Sequence, residues 1–142
     1  MSTFVLDNSV AMRWLLASKK KTDQNYAEVV LQRLNEDEAL VPNLWHLEAA
    51  NVLLGAEKNG ELELAEVERF ITQLECLPIT VDSLTSNQAF SRGLNLSRAY
   101  NLSSYDAAYL ELALREGLPL ATLDINLIKA AKKTDVPLYL TE

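Results

Sequence analysis

Residues 3–16 read Thr3-Phe-Val-Leu-Asp7-Asn-Ser-Val10-Ala-Met-Arg-Trp-Leu-Leu16. A short β-prone run ends at Asp7, and apolar residues at helical spacing follow at once. Leu120-Ala-Thr-Leu123 repeats the pattern, closing on Asp124 before the helical stretch Ile125-Asn-Leu-Ile-Lys-Ala-Ala131. Such runs alternate with longer helical segments along the whole chain, which predicts an α/β domain with a central, mainly parallel sheet. Strands are expected at 3–6, 39–41, 79–81, 120–123 and 138–140. Helices are expected near 9–17, 24–36, 43–58, 63–75, 85–100, 104–116 and 125–133. Asn59-Gly60 and Gly117-Leu-Pro119 stop two of the helices, and Val136-Pro137 leads into the last strand. Segment 43–75 reads as a helical hairpin. One expected stripe is Leu44, Leu47, Asn51 and Leu54; the other is Leu62, Leu64, Val67, Phe70, Ile71 and Leu74.

The 142 residues fit one domain spanning 1–142, with 49% apolar and 23% charged residues. No repeat or low-complexity linker divides them. No apolar run approaches the roughly 20 residues of a bilayer span. The N-terminus has no basic region ahead of Asp7, so no signal peptide is expected, and the lone Cys76 suits a reducing cytoplasm. The net charge of −7 argues against a general nucleic-acid coat, but a nuclease needs only a local basic rim. Lys19-Lys20-Lys21 and Lys129, Lys132 and Lys133 are candidates for that rim. The plainer reading places both clusters at helix C-termini, where cations favour the helix dipole.

Four acids stand out. Asp7 and Asp124 close strands, Asp106 opens the helix at Tyr105-Asp-Ala-Ala-Tyr-Leu110, and Glu48 interrupts an apolar helical side with no Lys or Arg within a turn. Each Asp has an ordinary explanation as a helix cap, with Ser103 and Asp106 spaced as in a capping box. Glu48 could lie at the stripe's edge and reach solvent. Their shared position favours a site. In a parallel α/β sheet, ligands bind beyond the carboxyl ends of the strands, and all four acids can reach that edge. Converging carboxylates need a cation, and oxygen ligands without paired His or Cys select Mg²⁺ or Mn²⁺. His46 is the only histidine, and no phosphate-cradling glycine loop or nucleophile elbow occurs. Metal-assisted chemistry at phosphorus remains.

Phe4–Ala11, Val41–Leu53, Ser104–Leu110 and Leu120–Asp124 resemble, in order and spacing, the motifs of PIN-domain ribonucleases. Within that group they resemble the VapC toxins of type II toxin–antitoxin systems. The family's acidic quartet maps onto Asp7, Glu48, Asp106 and Asp124, and its small hydroxylated residue onto Ser9. The resemblance implies a three-layer α/β/α fold, endonucleolytic cleavage of tRNA or ribosomal RNA, translational arrest, homodimerisation and neutralisation by a VapB-like antitoxin.

On this reading Asp7, Asp106 and Asp124 hold Mg²⁺ (or Mn²⁺), and Glu48 orients or deprotonates water or serves a second metal. The hydroxyls of Ser9 and Thr122 fix carboxylate rotamers. The products carry a 5′-phosphate and a 3′-hydroxyl. Two rival classes remain at this point. One is a Rossmann-like phosphatase or phosphotransferase with Asp7 as nucleophile, although the second Asp such enzymes place two residues later is Ser9 here. The other is a non-catalytic module docking through its helices. A PIN fold acting on DNA or in RNA maturation is a further variant.

Overall fold

The computed structural model describes residues 2–140. Its centre is a four-stranded, all-parallel sheet in the order β3-β2-β1-β4, comprising β1 (Thr3–Leu6), β2 (Glu38–Val41), β3 (Ile79–Val81) and β4 (Leu120–Ala121). Helices flank the sheet, as the α/β/α expectation requires. Phe4, Val5 and Leu6 are wholly buried, which is why this strand reads as continuous apolar sequence rather than as an alternation. Tyr139 stacks on Phe4 with ring centroids 3.8 Å apart.

The helices are α1 (Asn8–Ala11), α2 (Lys21–Arg33), α3 (Trp45–Lys58), α4 (Leu64–Glu75), α5 (Thr85–Gln88), α6 (Leu94–Tyr100), α7 (Ser104–Glu116) and α8 (Ile125–Lys133). The last two match expectation because their ends carry strong signals. Ser103 Oγ accepts from the Asp106 amide, Asp124 Oδ1 accepts from the Leu127 amide, and Gly117 closes α7 at φ 65°. No helix among the described residues is long and apolar enough to cross a membrane.

Several elements differ from expectation for identifiable reasons. The strand expected at 120–123 ends at Ala121, because the Leu123 amide is taken by Ser9 Oγ and the Asp124 amide by Thr122 Oγ1. The strand expected at 138–140 reduces to one bridge between Leu138 and Leu120. Asp135 and Leu140 on either side adopt φ of 60°, outside the extended region. The helix expected at 9–17 gives way to a 3₁₀ turn at Met12–Trp14, and α2 begins three residues early. Lys20 and Lys21 therefore start a helix rather than end one, and the C-terminal dipole explanation fails for Lys19–Lys21. It holds for Lys132 and Lys133, in the last turn of α8.

The helix expected at 85–100 is broken by a π segment, Ala89–Gly93. A Cβ on Gly93 would sit 3.2 Å from the Gln88 carbonyl oxygen, so the crowded backbone of this π turn suits glycine. Helices α3 and α4 follow one another across a short turn, as expected, but the α3 stripe lies on another side. Trp45, Ala49, Leu53 and Ala56 are buried, whereas Leu47 is 77% and Leu54 47% exposed. On α4, Val67 and Phe70 face inward while Leu64 and Ile71 are exposed.

A buried ionic cluster ties α7 to the end of β3. Arg115 donates to Asp82 through Nη1 (3.1 Å) and Nη2 (2.8 Å), and to Glu111 through Nε (2.8 Å) and Nη2 (3.0 Å). Burial pushes the Asp82 carboxyl up, but the Arg115 guanidinium, together with hydrogen bonds from the Thr85 hydroxyl and the Leu84 amide, more than offsets it and the pKa ends below the ordinary value.

Candidate active site

Asp7 follows β1 directly, and its amide extends the ladder by donating to the Ala121 carbonyl at 3.0 Å. This residue sits at the cap position of α1 without capping it. Its Oδ2 instead accepts from Ser9 Oγ (2.6 Å) and Thr122 Oγ1 (2.7 Å), and Asp7 is almost fully buried. The two hydroxyls thus lock one rotamer of Asp7. Asp124 and Asp106 are half-buried. Asp124 does cap its helix, through Oδ1 alone, so cap and ligand are not exclusive roles for a carboxylate with two oxygens.

The acids sense one another. Burial, reinforced by the charges of Glu48 and Asp124 and only partly offset by the Ser9 and Thr122 hydrogen bonds, pushes Asp7 up to about 6. Burial together with Asp124 and Asp7 pushes Asp106 up to about 6. Among the described residues no ion pair reaches any of the four acids. Uncompensated carboxylates at the carboxyl edge of a parallel sheet fit a hard cation in donor chemistry. The fit is not a finished cage, since among the described residues no three acids, histidines or cysteines are grouped closely enough to hold a metal ion.

Glu48 is half-buried beside the buried stripe of α3. Its partners were not legible in the sequence. Glu48 Oε1 accepts from the Tyr109 hydroxyl at 2.6 Å and from Asn8 Nδ2 at 3.4 Å. Asn8 Nδ2 also donates to the Trp45 carbonyl at 2.9 Å, and lies 3.4 Å from the Tyr109 hydroxyl. Asn8 Oδ1 is buried with no partner among the described residues. Tyr109 is wholly buried, and burial plus the charge of Asp7 drives its phenol far above the ordinary range, so it stays a donor. The only available hint was spacing: Tyr109 lies one turn beyond Asp106 on α7, and Asn8 is next to Asp7.

This predicts that Tyr109→Phe keeps the fold but lowers turnover about ten- to a hundredfold, the usual cost of losing a group that orients a ligand or base. The measurement is steady-state cleavage, alongside circular dichroism of the folded variant. Unchanged turnover would show that Glu48 needs no anchor.

A pH effect follows as well. Folded-state values of about 6 for Asp7 and Asp106 exceed the unfolded 3.8, so the folded chain holds protons that the unfolded chain releases. The metal-free protein therefore loses stability as pH rises from about 4 to about 6, and stays penalised above. Asp82, shifted down, acts oppositely and loses its contribution only in stronger acid. Melting temperature without divalent cations should be higher near pH 5 than near pH 7.5, and added Mg²⁺ should stabilise more at the higher pH. A flat profile in both conditions would contradict the clustered-acid account.

Interacting carboxylates thus stand at the carboxyl edge of an all-parallel sheet, the edge at which such sheets bind ligands. The PIN domain family matches residues 4–133, and the chain belongs to that family, whose members are generally metal-dependent nucleases. Among solved structures, the crystal structure of PAE2754 from Pyrobaculum aerophilum superposes with a TM-score of 0.64. It is 22% identical, with 92% of this chain and 87% of that chain covered, a likeness of fold. No curated relative matches the chain.

Proposed function

We propose that this chain is a VapC-like endoribonuclease toxin that cuts tRNA or ribosomal RNA with Mg²⁺ (or Mn²⁺) and is neutralised by a VapB-like antitoxin. The observation that carries the reading is the placement of Asp7, Asp106 and Asp124 at the carboxyl edge of a PIN-family sheet, with no ion pair to any of them among the described residues. Asp7, Asp106 and Asp124 would hold the cation, which when bound neutralises charge on the scissile phosphate.

The remaining steps belong to the protein. Ser9 and Thr122 hold Asp7 in one rotamer. Tyr109 and Asn8 hold Glu48 Oε1 by hydrogen bonds, and Glu48 accepts a proton from the attacking water. The water oxygen bonds to phosphorus, the bond from phosphorus to the 3′-oxygen breaks, and that oxygen takes up a proton. The ends left are a 5′-phosphate and a 3′-hydroxyl. Lys19, Lys20 and Lys21 are exposed at the start of α2, and with Lys129, Lys132 and Lys133 they would steer RNA despite the net charge of −7. The exposed Leu54, Leu64 and Phe90 leave apolar surface for a second copy or an antitoxin segment.

Induced expression of the chain alone should arrest bacterial growth and generate new RNA ends bearing 5′-phosphates, whereas Asp106→Asn should do neither. Equal arrest by both proteins would contradict the toxin reading.

A further inference from the structure

Beside the acids lies a hollow of about 560 Å³ lined by Leu44, Leu47, Glu48, Asn51, Val52 and Tyr105. Leu47 is 77% and Tyr105 61% exposed, so large apolar surface here faces solvent next to the chemistry rather than the core. We propose that this hollow is a nucleobase subsite, taking an unpaired base of the RNA adjacent to the scissile phosphate. The proposal rests on the ribonuclease reading and names the substrate class within it.

Three features of the hollow select a base. Its lining contains no cation and one anion, Glu48, so it repels phosphate and suits the uncharged part of a nucleotide. Tyr105 offers an exposed aromatic face with apolar Leu44, Leu47 and Val52 around it, the surroundings in which bases stack. The amide of Asn51 both donates and accepts, as the polar edge of a base requires. The hollow adjoins the acidic edge. Glu48 lines the hollow and is anchored by Tyr109 and Asn8, while Tyr105 immediately precedes Asp106 in the first turn of α7. A base seated here would belong to a nucleotide flanking the cut, on one side or the other. Bases stacked within a duplex cannot enter, so the cut falls in a loop or single-stranded segment.

The test uses the full chain and an RNA hairpin whose cut has been mapped. An abasic nucleotide is placed on each side of the cut in turn. Tyr105→Ala should raise KM for the intact RNA about tenfold, and Tyr105→Phe, which keeps the stacking face, should stay near wild type. One abasic position should raise the wild-type KM by the same factor, and on that RNA Tyr105→Ala should add no further loss. An unchanged KM in Tyr105→Ala would overturn the subsite and leave the hollow to a protein partner. Equal losses on intact and abasic RNA would make Tyr105 a structural residue and overturn it too. Failure of the wild type to cut any RNA would overturn the ribonuclease reading itself.

Discussion

Asp7→Asn is expected to abolish RNA cleavage while making the metal-free protein more stable. Activity should fall by a factor on the order of 10²–10⁴, the range seen when a charged group acting on the transition state is lost. The fold should survive, because the amide can still meet the hydroxyls of Ser9 and Thr122, which accept as well as donate. The stabilisation follows from linkage: a carboxyl raised from 3.8 to about 6 costs the folded state about 3 kcal/mol at neutral pH, at roughly 1.4 kcal/mol per unit. Urea unfolding in EDTA and a cleavage assay in Mg²⁺ would measure both effects. A variant that is less stable without metal would mean that the charge of Asp7 has a compensating partner.

The largest loss of stability is expected from Arg115→Ala. The substitution leaves Asp82 and Glu111 buried and facing each other without their shared cation, which costs about 3–5 kcal/mol. For a domain of this size, that lowers the melting temperature by about 10 °C or more. Replacing Glu111 by Gln in the same variant should recover part of the loss, since one uncompensated charge is removed. A shift of only a degree or two would mean that water reaches the cluster and screens it. The cluster matters to the site because α7 also carries Asp106 and Tyr109, so its docking onto the end of β3 helps set where both point.

The parts of the fold that were legible are those whose signals are local. β1 is a continuous apolar run because Phe4, Val5 and Leu6 are enclosed, and α7 and α8 are bounded by caps formed within three residues. The misreadings arose where tertiary contacts decide. Leu47 and Leu54 are as apolar as Leu53, yet they face outward, because Trp45, Ala49 and Ala56 set the side of α3 that packs. The expected strand at 138–140 fails at Leu140, whose left-handed backbone no local pattern announces.

The candidate site divides the same way. Strand ends and helix starts marked Asp7, Asp106 and Asp124 in the sequence. The Tyr109–Glu48 and Asn8–Tyr109 hydrogen bonds span 61 and 101 residues, so only the folded chain brings them together. Lys20 and Lys21 stand at a helix start that no local pattern marked, where the helix dipole gives a cation no benefit.

The activity proposed for this acidic edge is hydrolysis of RNA with a divalent cation. Its most direct test is cleavage of total bacterial RNA by the purified chain, with Mg²⁺ or with excess EDTA, followed by mapping of the new ends. Discrete cuts leaving 5′-phosphates are expected in Mg²⁺, lost in EDTA and lost again in Asp7→Asn. Cuts that persist in EDTA, or no cuts in Mg²⁺ or Mn²⁺, would contradict it.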